Sequence, residues 1–306
     1  MRAHSRPNVV SRGEKVPRRH RIRPRPLTRF VHSSHTARIA RTVANSVAAV
    51  AWLLALGACD GRSGSGDRGG QDGEALAATP ARQAAPYVVR TLDVRGALVG
   101  TIEIDGPTPA DSVIQPPIDQ PACGAVFTRA GIAGRGNRAG GVVVWIEGIR
   151  SGKPLPLDRR FEIANERCML LPELQAAIAG GTLNVRNRDA LEHRTQIVRR
   201  ESGEVLATIR ETDEGQVVPN EQVLAHPGIL ELSCSAHAWT RGWIAVFDHP
   251  YFSTTTMDGT FAMDSVPPGR YAVMMFHPRL GAVVDSVTID AGVTSSITLR
   301  PKAVVP

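Results

Sequence analysis

The chain has one stretch in which metal-donor side chains lie at ligand spacing. Cys234-Ser235-Ala236-His237-Ala238-Trp239-Thr240 puts a thiol and an imidazole three positions apart, directly after the alternating run Leu230-Glu231-Leu232-Ser233. A short loop leaving a strand can aim both side chains at one ion. A third donor, His193, closes the upstream segment Asn187-Arg188-Asp189-Ala190-Leu191-Glu192-His193. One thiolate with two imidazoles is the trigonal set that selects copper, because the soft sulfur stabilises Cu(I) and the nitrogens accommodate Cu(II). Without a metal, the same residues read as a buried thiol beside a hydrogen-bonded imidazole.

The other cysteines sharpen that choice. Of four in the chain, Cys59 ends Leu56-Gly57-Ala58-Cys59, which resembles a bacterial lipobox and implies cleavage before the cysteine and lipid on its sulfur. Cys123 lies in the Pro-rich loop Gln120-Pro121-Ala122-Cys123-Gly124 and Cys168 in an irregular stretch before Pro172, neither with an acid or imidazole at ligand spacing. In an oxidising compartment such thiols pair, so a Cys123–Cys168 disulfide is expected. Cys234 is then left odd, and an odd exported thiol calls for a role.

Charge points to export as well. Residues 1–58 hold 12 Lys or Arg against Glu14 alone, a net of +11, whereas the whole chain carries +7, so the part from Cys59 onward is −4. A basic whole-chain balance is therefore no sign of a nucleic-acid partner. The apolar run from Val43 to Leu56 is short for a bilayer span and has the layout of an export signal. Residues 1–58 are read as a signal peptide with an Arg-rich leader, and residues 59–86, rich in Gly, Ala, Asp and Arg, as a flexible tether. Acylation at Cys59 would hold the protein at the cell envelope, facing the periplasm or the exterior.

Short β-type runs begin at Tyr87, separated by Gly, Pro and Asp: 87–94, 97–104, 142–146, 182–185, 194–198, 229–232, 243–247, 260–263, 271–276, 283–289 and 295–299. This pattern predicts an all-β chain of sandwich or barrel type. The one helical candidate is Pro172 to Ile178, closed by Gly180-Gly181. Asp258-Gly259 between two β-prone runs is the arrangement a tight hairpin favours.

Two resemblances bear on this pattern. A first His near the start of one strand, then Cys-x-x-His after a later strand, resembles the cupredoxins, Greek-key β-sandwich copper proteins, over about residues 87–248. The resemblance implies His193, Cys234 and His237 as equatorial copper ligands, electron transfer as the role, and a redox protein as partner. The chain departs from that pattern at Thr240, where the short-loop cupredoxins place an axial Met, and at Arg194, where Asn commonly follows the first His. Loss of the axial thioether should raise the redox potential. Met257, Met263, Met274 and Met275 are thioethers from elsewhere in the chain that could substitute.

The segment from Thr254 to Tyr271, with Met257-Asp258-Gly259-Thr260-Phe261 and Pro267-Pro268-Gly269-Arg270-Tyr271, resembles the carboxypeptidase regulatory-like domain, a smaller prealbumin-like β-sandwich. It is assigned to residues 249–306. Ala97 to Gly106 resembles the opening strand of such domains, which allows the two modules to interleave.

His226, His249 and His277 read as turn or strand-end residues, and Trp239 and Trp243 as shielding for the Cys234 loop. No G-x-S-x-G elbow, zinc-protease motif or phosphate-cradling loop is visible, so no enzyme is expected. The sequence thus predicts a lipid-anchored copper-binding protein, with a metal-free interaction or carbohydrate-binding module as the alternative.

Overall fold

The structure, a computed structural model, describes residues 85–304. The signal peptide, Cys59 and residues 59–84 of the tether lie outside the described residues.

The strands β1 (Val88–Val89), β2 (Gly96–Ile102) and β3 (Ser112–Ile114) precede the short helix α1 (Gln120–Cys123). Next come β4 (Phe127–Arg129), β5 (Gly134–Arg135), β6 (Arg138–Ala139), β7 (Val143–Ile146) and β8 (Ser151–Gly152). A continuous series follows: β9 (Arg160–Glu166), β10 (Met169–Leu171), β11 (Leu174–Ile178), β12 (Thr182–Asn187), β13 (His193–Arg199) and β14 (Val205–Glu211). It continues through β15 (Val217–Asn220), β16 (Gly228–Cys234) and β17 (Arg241–Phe247). The chain closes with β18 (Phe252–Thr254), β19 (Thr260–Val266), β20 (Gly269–His277), β21 (Gly281–Ile289) and β22 (Thr294–Leu299).

These strands build two β-sandwiches, as an all-β reading requires. One packs the sheet β10-β9-β12-β15 against β11-β17-β16-β13-β14. Its core is Ile163, Leu183, Val185, Ile197, Leu230, Leu232, Ile244 and their neighbours. The other packs β18-β7-β20-β21 against β19-β2-β22 around Leu98, Ile102, Val144, Tyr251, Val273 and Met275.

The second sandwich takes strands from both sides of the first. β2 pairs with β22 and β19, and β7 with β18 and β20, so β9 to β17 form an insertion between β7 and β18. The expected serial division at residue 248 therefore does not follow the sheets. Ala97 to Gly106 marks the reason, because the opening strand of the outer sandwich is supplied far upstream of its remaining strands.

β17 joins the two halves. Side chains alternate along a strand, so Ile244 and Val246 enter the inserted core while Ala245 and Phe247 pack with Val143, Leu174 and Phe276 in a third cluster. With apolar residues on both faces, β17 reads as an almost continuous hydrophobic run.

Two local expectations are corrected. Leu174–Ile178 is a strand, not a helix: it pairs in parallel with Trp243–Phe247, and Leu174, Ala177 and Ile178 are buried. The helix propensity of Leu-Gln-Ala-Ala-Ile is worth only tenths of a kcal/mol per residue and yields to that pairing. The Asp258-Gly259 turn does form, with Gly259 at φ 69° and its N–H donated to Thr256 O at 2.9 Å. Yet β18 and β19, which flank it, belong to opposite sheets, so the turn is a corner between layers and not a hairpin within one.

Candidate metal centre

β13 and β16 are antiparallel neighbours with Thr195 opposite Cys234. Period-two alternation therefore puts His193, Thr195 and Cys234 on the same inward face, and all are buried. Cys234 is the last residue of β16. The loop then turns back, with Ser235 N–H donated to Arg194 O at 3.2 Å and Thr240 N–H to His237 O at 2.9 Å. This turn brings His237, fully buried, over the sulfur.

The three sequence-predicted ligands converge. Cys234 Sγ lies 3.5 Å from His237 Nδ1 and 3.8 Å from His193 Nδ1. For a first-row ion with a metal–sulfur bond of about 2.3 Å and a metal–nitrogen bond of about 2.0 Å, angles of about 110–120° require sulfur–nitrogen separations of about 3.5–3.7 Å. The observed pair brackets that interval, and one donor atom from each of the three residues lies within 4.8 Å of the others.

Each imidazole is held from behind by a carboxylate. His193 Nε2 lies 2.9 Å from Asp189 Oδ2, and His237 Nε2 lies 3.2 Å from Asp119 Oδ2. A carboxylate at Nε2 keeps the proton there and presents the Nδ1 lone pair forward, the outer arrangement typical of metal-bound histidine. Asp189 is positioned in turn: its N–H goes to Asn187 Oδ1, and its carboxylate accepts the N–H groups of Arg167 and Cys168 at 2.6 and 2.8 Å.

The electrostatics agree with a ligand set. Burial pushes the Cys234 thiol up, but hydrogen bonding from His193, backbone N–H groups and His237 outweighs it and brings the thiol down to about 6. Burial lowers the His193 imidazole, while bonding to Asp189 and Cys234 raises it further, to about 9. Both shifts favour the charged forms, thiolate beside imidazolium, and a bound ion would displace the imidazolium proton.

Beneath the site, burial raises the fully buried Glu211 carboxyl to about 7 against weaker opposing hydrogen bonding from Thr195. Glu211 Oε1 and Asn165 Oδ1 both lack hydrogen-bond partners.

The predicted Cys123–Cys168 disulfide is present, and among the described residues Cys234 is the free thiol, buried. The disulfide borders the site: Cys123 Sγ is 3.9 Å from His237 Nε2. Thr240, in the place an axial thioether would take, is buried and donates its hydroxyl to Cys168 O at 2.5 Å, away from ligand duty. Met263 and Met275 lie in the core of the outer sandwich, and Met257 is exposed. Arg194 points outward to an ion pair with Glu192 at 2.7 Å, so the task of fixing the loop falls to Asn187 and Asp189.

Trp239 packs its ring 5.1 Å from that of His237, as a shield would, whereas Trp243 belongs to the cluster between the sandwiches. His226 is exposed, and His249 and His277 accept backbone N–H groups from Tyr251 and Arg279. Sequence reading missed Asp119 and Asp189 as partners of the ligands. The signal for Asp189 was its place four residues before His193; Asp119, distant in sequence, gave none.

No protein-family model matches the chain, and no curated protein matches it. Among solved structures, the copper-containing nitrite reductase (NirK) of Thermus scotoductus SA-01 aligns at 19% identity and a TM-score of 0.27, over 32% of this chain and 24% of that chain. The present chain thus spans under a third of the reductase. A purple cupredoxin from Nitrosopumilus maritimus aligns at 21% and 0.24, over 28% of this chain and 99% of that chain. Amicyanin from Paracoccus versutus aligns at 18% and 0.25, over 30% of this chain and 85% of that chain. At such identities and TM-scores, none of these likenesses says what this chain binds.

Proposed function

We propose that this chain binds one copper ion through Cys234 Sγ, His193 Nδ1 and His237 Nδ1, and serves in electron transfer or copper handling. The observation that carries this reading is the approach of two Nδ1 atoms to one buried, acidified sulfur at separations suited to a shared ion. Copper in such a set supplies one-electron redox chemistry. The protein's part is to hold the ligands in a shape that neither oxidation state distorts. Cys234 is fixed by two neighbouring strands, His193 by Asp189 and His237 by Asp119. With the Thr240 hydroxyl committed to Cys168, the set lacks an axial thioether, which favours Cu(I) and a high potential.

The outer sandwich, by its Asp-Gly and Pro-Pro-Gly signatures, is read as a carboxypeptidase regulatory-like scaffold that carries no chemistry. Export and acylation at Cys59 would place the site at a membrane beside a redox protein. The mass of the mature protein from membranes, carrying acyl chains on Cys59, checks that part.

The test of the copper reading is a Cu(II) titration of the purified mature protein. The expected result is a saturable, intense visible band from thiolate-to-copper charge transfer, absent in Cys234→Ser. No band in the wild type would leave the metal-free interaction or carbohydrate-binding module as the better account.

A further inference from the structure

His237 is a two-sided residue. Its Nδ1 faces Cys234, while its Nε2 faces a second group of donors: Cys123 Sγ at 3.9 Å and Asp119 Oδ2 at 3.2 Å. Cys168 completes this group, since its sulfur, that of Cys123 and a nitrogen of His237 all lie within 4.8 Å of one another. All three of these residues are buried. In the disulfide form neither sulfur is a thiolate, so this group cannot act as a ligand set.

We propose that opening the Cys123–Cys168 disulfide creates a second metal site, made of the two thiolates, His237 Nε2 and the Asp119 carboxylate, for a zinc-type divalent ion. Two thiolates, one imidazole and one carboxylate make a four-ligand set of the kind tetrahedral zinc takes. Such a centre needs sulfur–nitrogen and nitrogen–oxygen separations of about 3.5 and 3.4 Å. The positions of Cys123 and Asp119 about His237 are already within a few tenths of an ångström of those values, so the sulfur of Cys168 is the atom that must move.

The reaction balances with an external dithiol as reductant. The dithiol gives two electrons and two protons to the Cys123–Cys168 bond and becomes a disulfide, leaving two cysteine thiols. The incoming M(II) then forms two metal–sulfur bonds, and two thiol protons leave to solvent. Metal at Nε2 displaces the proton held there, which moves to Nδ1 in the neutral imidazole, so the second site needs neither Cys234 nor copper and takes His237 away from the first.

Cys234→Ser isolates the new site for testing. This variant, reduced with a phosphine, desalted anaerobically and titrated with Co(II), is expected to bind one equivalent with thiolate-to-cobalt charge-transfer absorption. The unreduced variant should show no such absorption. Adding Asp119→Asn should weaken binding about tenfold or more, and adding Cys123→Ser should abolish the two-thiolate spectrum. The proposal is overturned if the reduced Cys234→Ser protein takes up no Co(II), if Cys123→Ser leaves uptake unchanged, or if reduction erases the β-sheet circular dichroism. Because Cys234 is absent throughout, none of these failures touches the copper reading, and a failed copper titration of the wild type does not touch this one.

Discussion

Two carboxylates govern the behaviour of the Cys234 site, one as a partner to a ligand and one as a buried acid. Asp189 ties His193 to the loop of Cys168, accepting one imidazole and two backbone N–H groups. Asp189→Asn should lower copper affinity by about 10–100-fold, measured by competition against a chromophoric chelator; unchanged affinity would mean that strand pairing alone fixes His193. Glu211 answers to a different force. Its carboxyl is raised by burial from 4.5 to about 7. Between those values the folded protein binds more protons than the unfolded chain, so stability falls as pH rises through that window, by roughly 3 kcal/mol in all. Glu211→Gln should flatten that slope and be the more stable protein at pH 8 in urea unfolding. A slope that persists in the variant would place the titration elsewhere. At this scale the ligands were legible in the sequence, because thiol and imidazole three apart after an alternating run is a local pattern. Asp119 was not, since only tertiary folding brings it to a residue 118 positions away.

Elements were legible where burial is one-sided and the chain alternates cleanly, as in β2, whose pattern runs from Gly96 to Ile102 with Leu98, Gly100 and Ile102 inside. β9 (Arg-Phe-Glu-Ile-Ala-Asn-Glu) and β11 were missed for opposite reasons. The first carries charged ends and a buried Asn165, and the second has the composition of a helix. The connection between sandwiches turns on Tyr251, fully buried, whose hydroxyl accepts Lys153 N–H and donates to Ser265 O, both at 2.9 Å. Gly152 makes room for it: a Cβ there would stand 2.0 Å from that hydroxyl, at a φ of 148°. Tyr251→Phe should cost about 1–3 kcal/mol by orphaning a half-buried N–H and a C=O. Equilibrium unfolding checks this, and a change under 0.5 kcal/mol, on the order of an ordinary surface substitution, would show that water replaces the hydroxyl.

For the whole molecule, the interleaving of β2 and β7 with β18 to β22 means that the inserted sandwich is delivered already anchored at both ends. The sequence hinted at this only through Ala97 to Gly106, since pairing between strands some 200 residues apart leaves no local trace. The disulfide and α1 close over the metal loop from outside the inserted sheets, so the site depends on the complete fold and not on the β9 to β17 segment alone. At this scale the central feature is the proposed copper set of Cys234, His193 and His237. X-ray absorption at the copper edge of the loaded wild type tests it most directly. The expected first shell is one sulfur at about 2.3 Å and two imidazole nitrogens at about 2.0 Å. A shell of nitrogen and oxygen without sulfur would contradict the assignment of Cys234, His193 and His237 as one copper site.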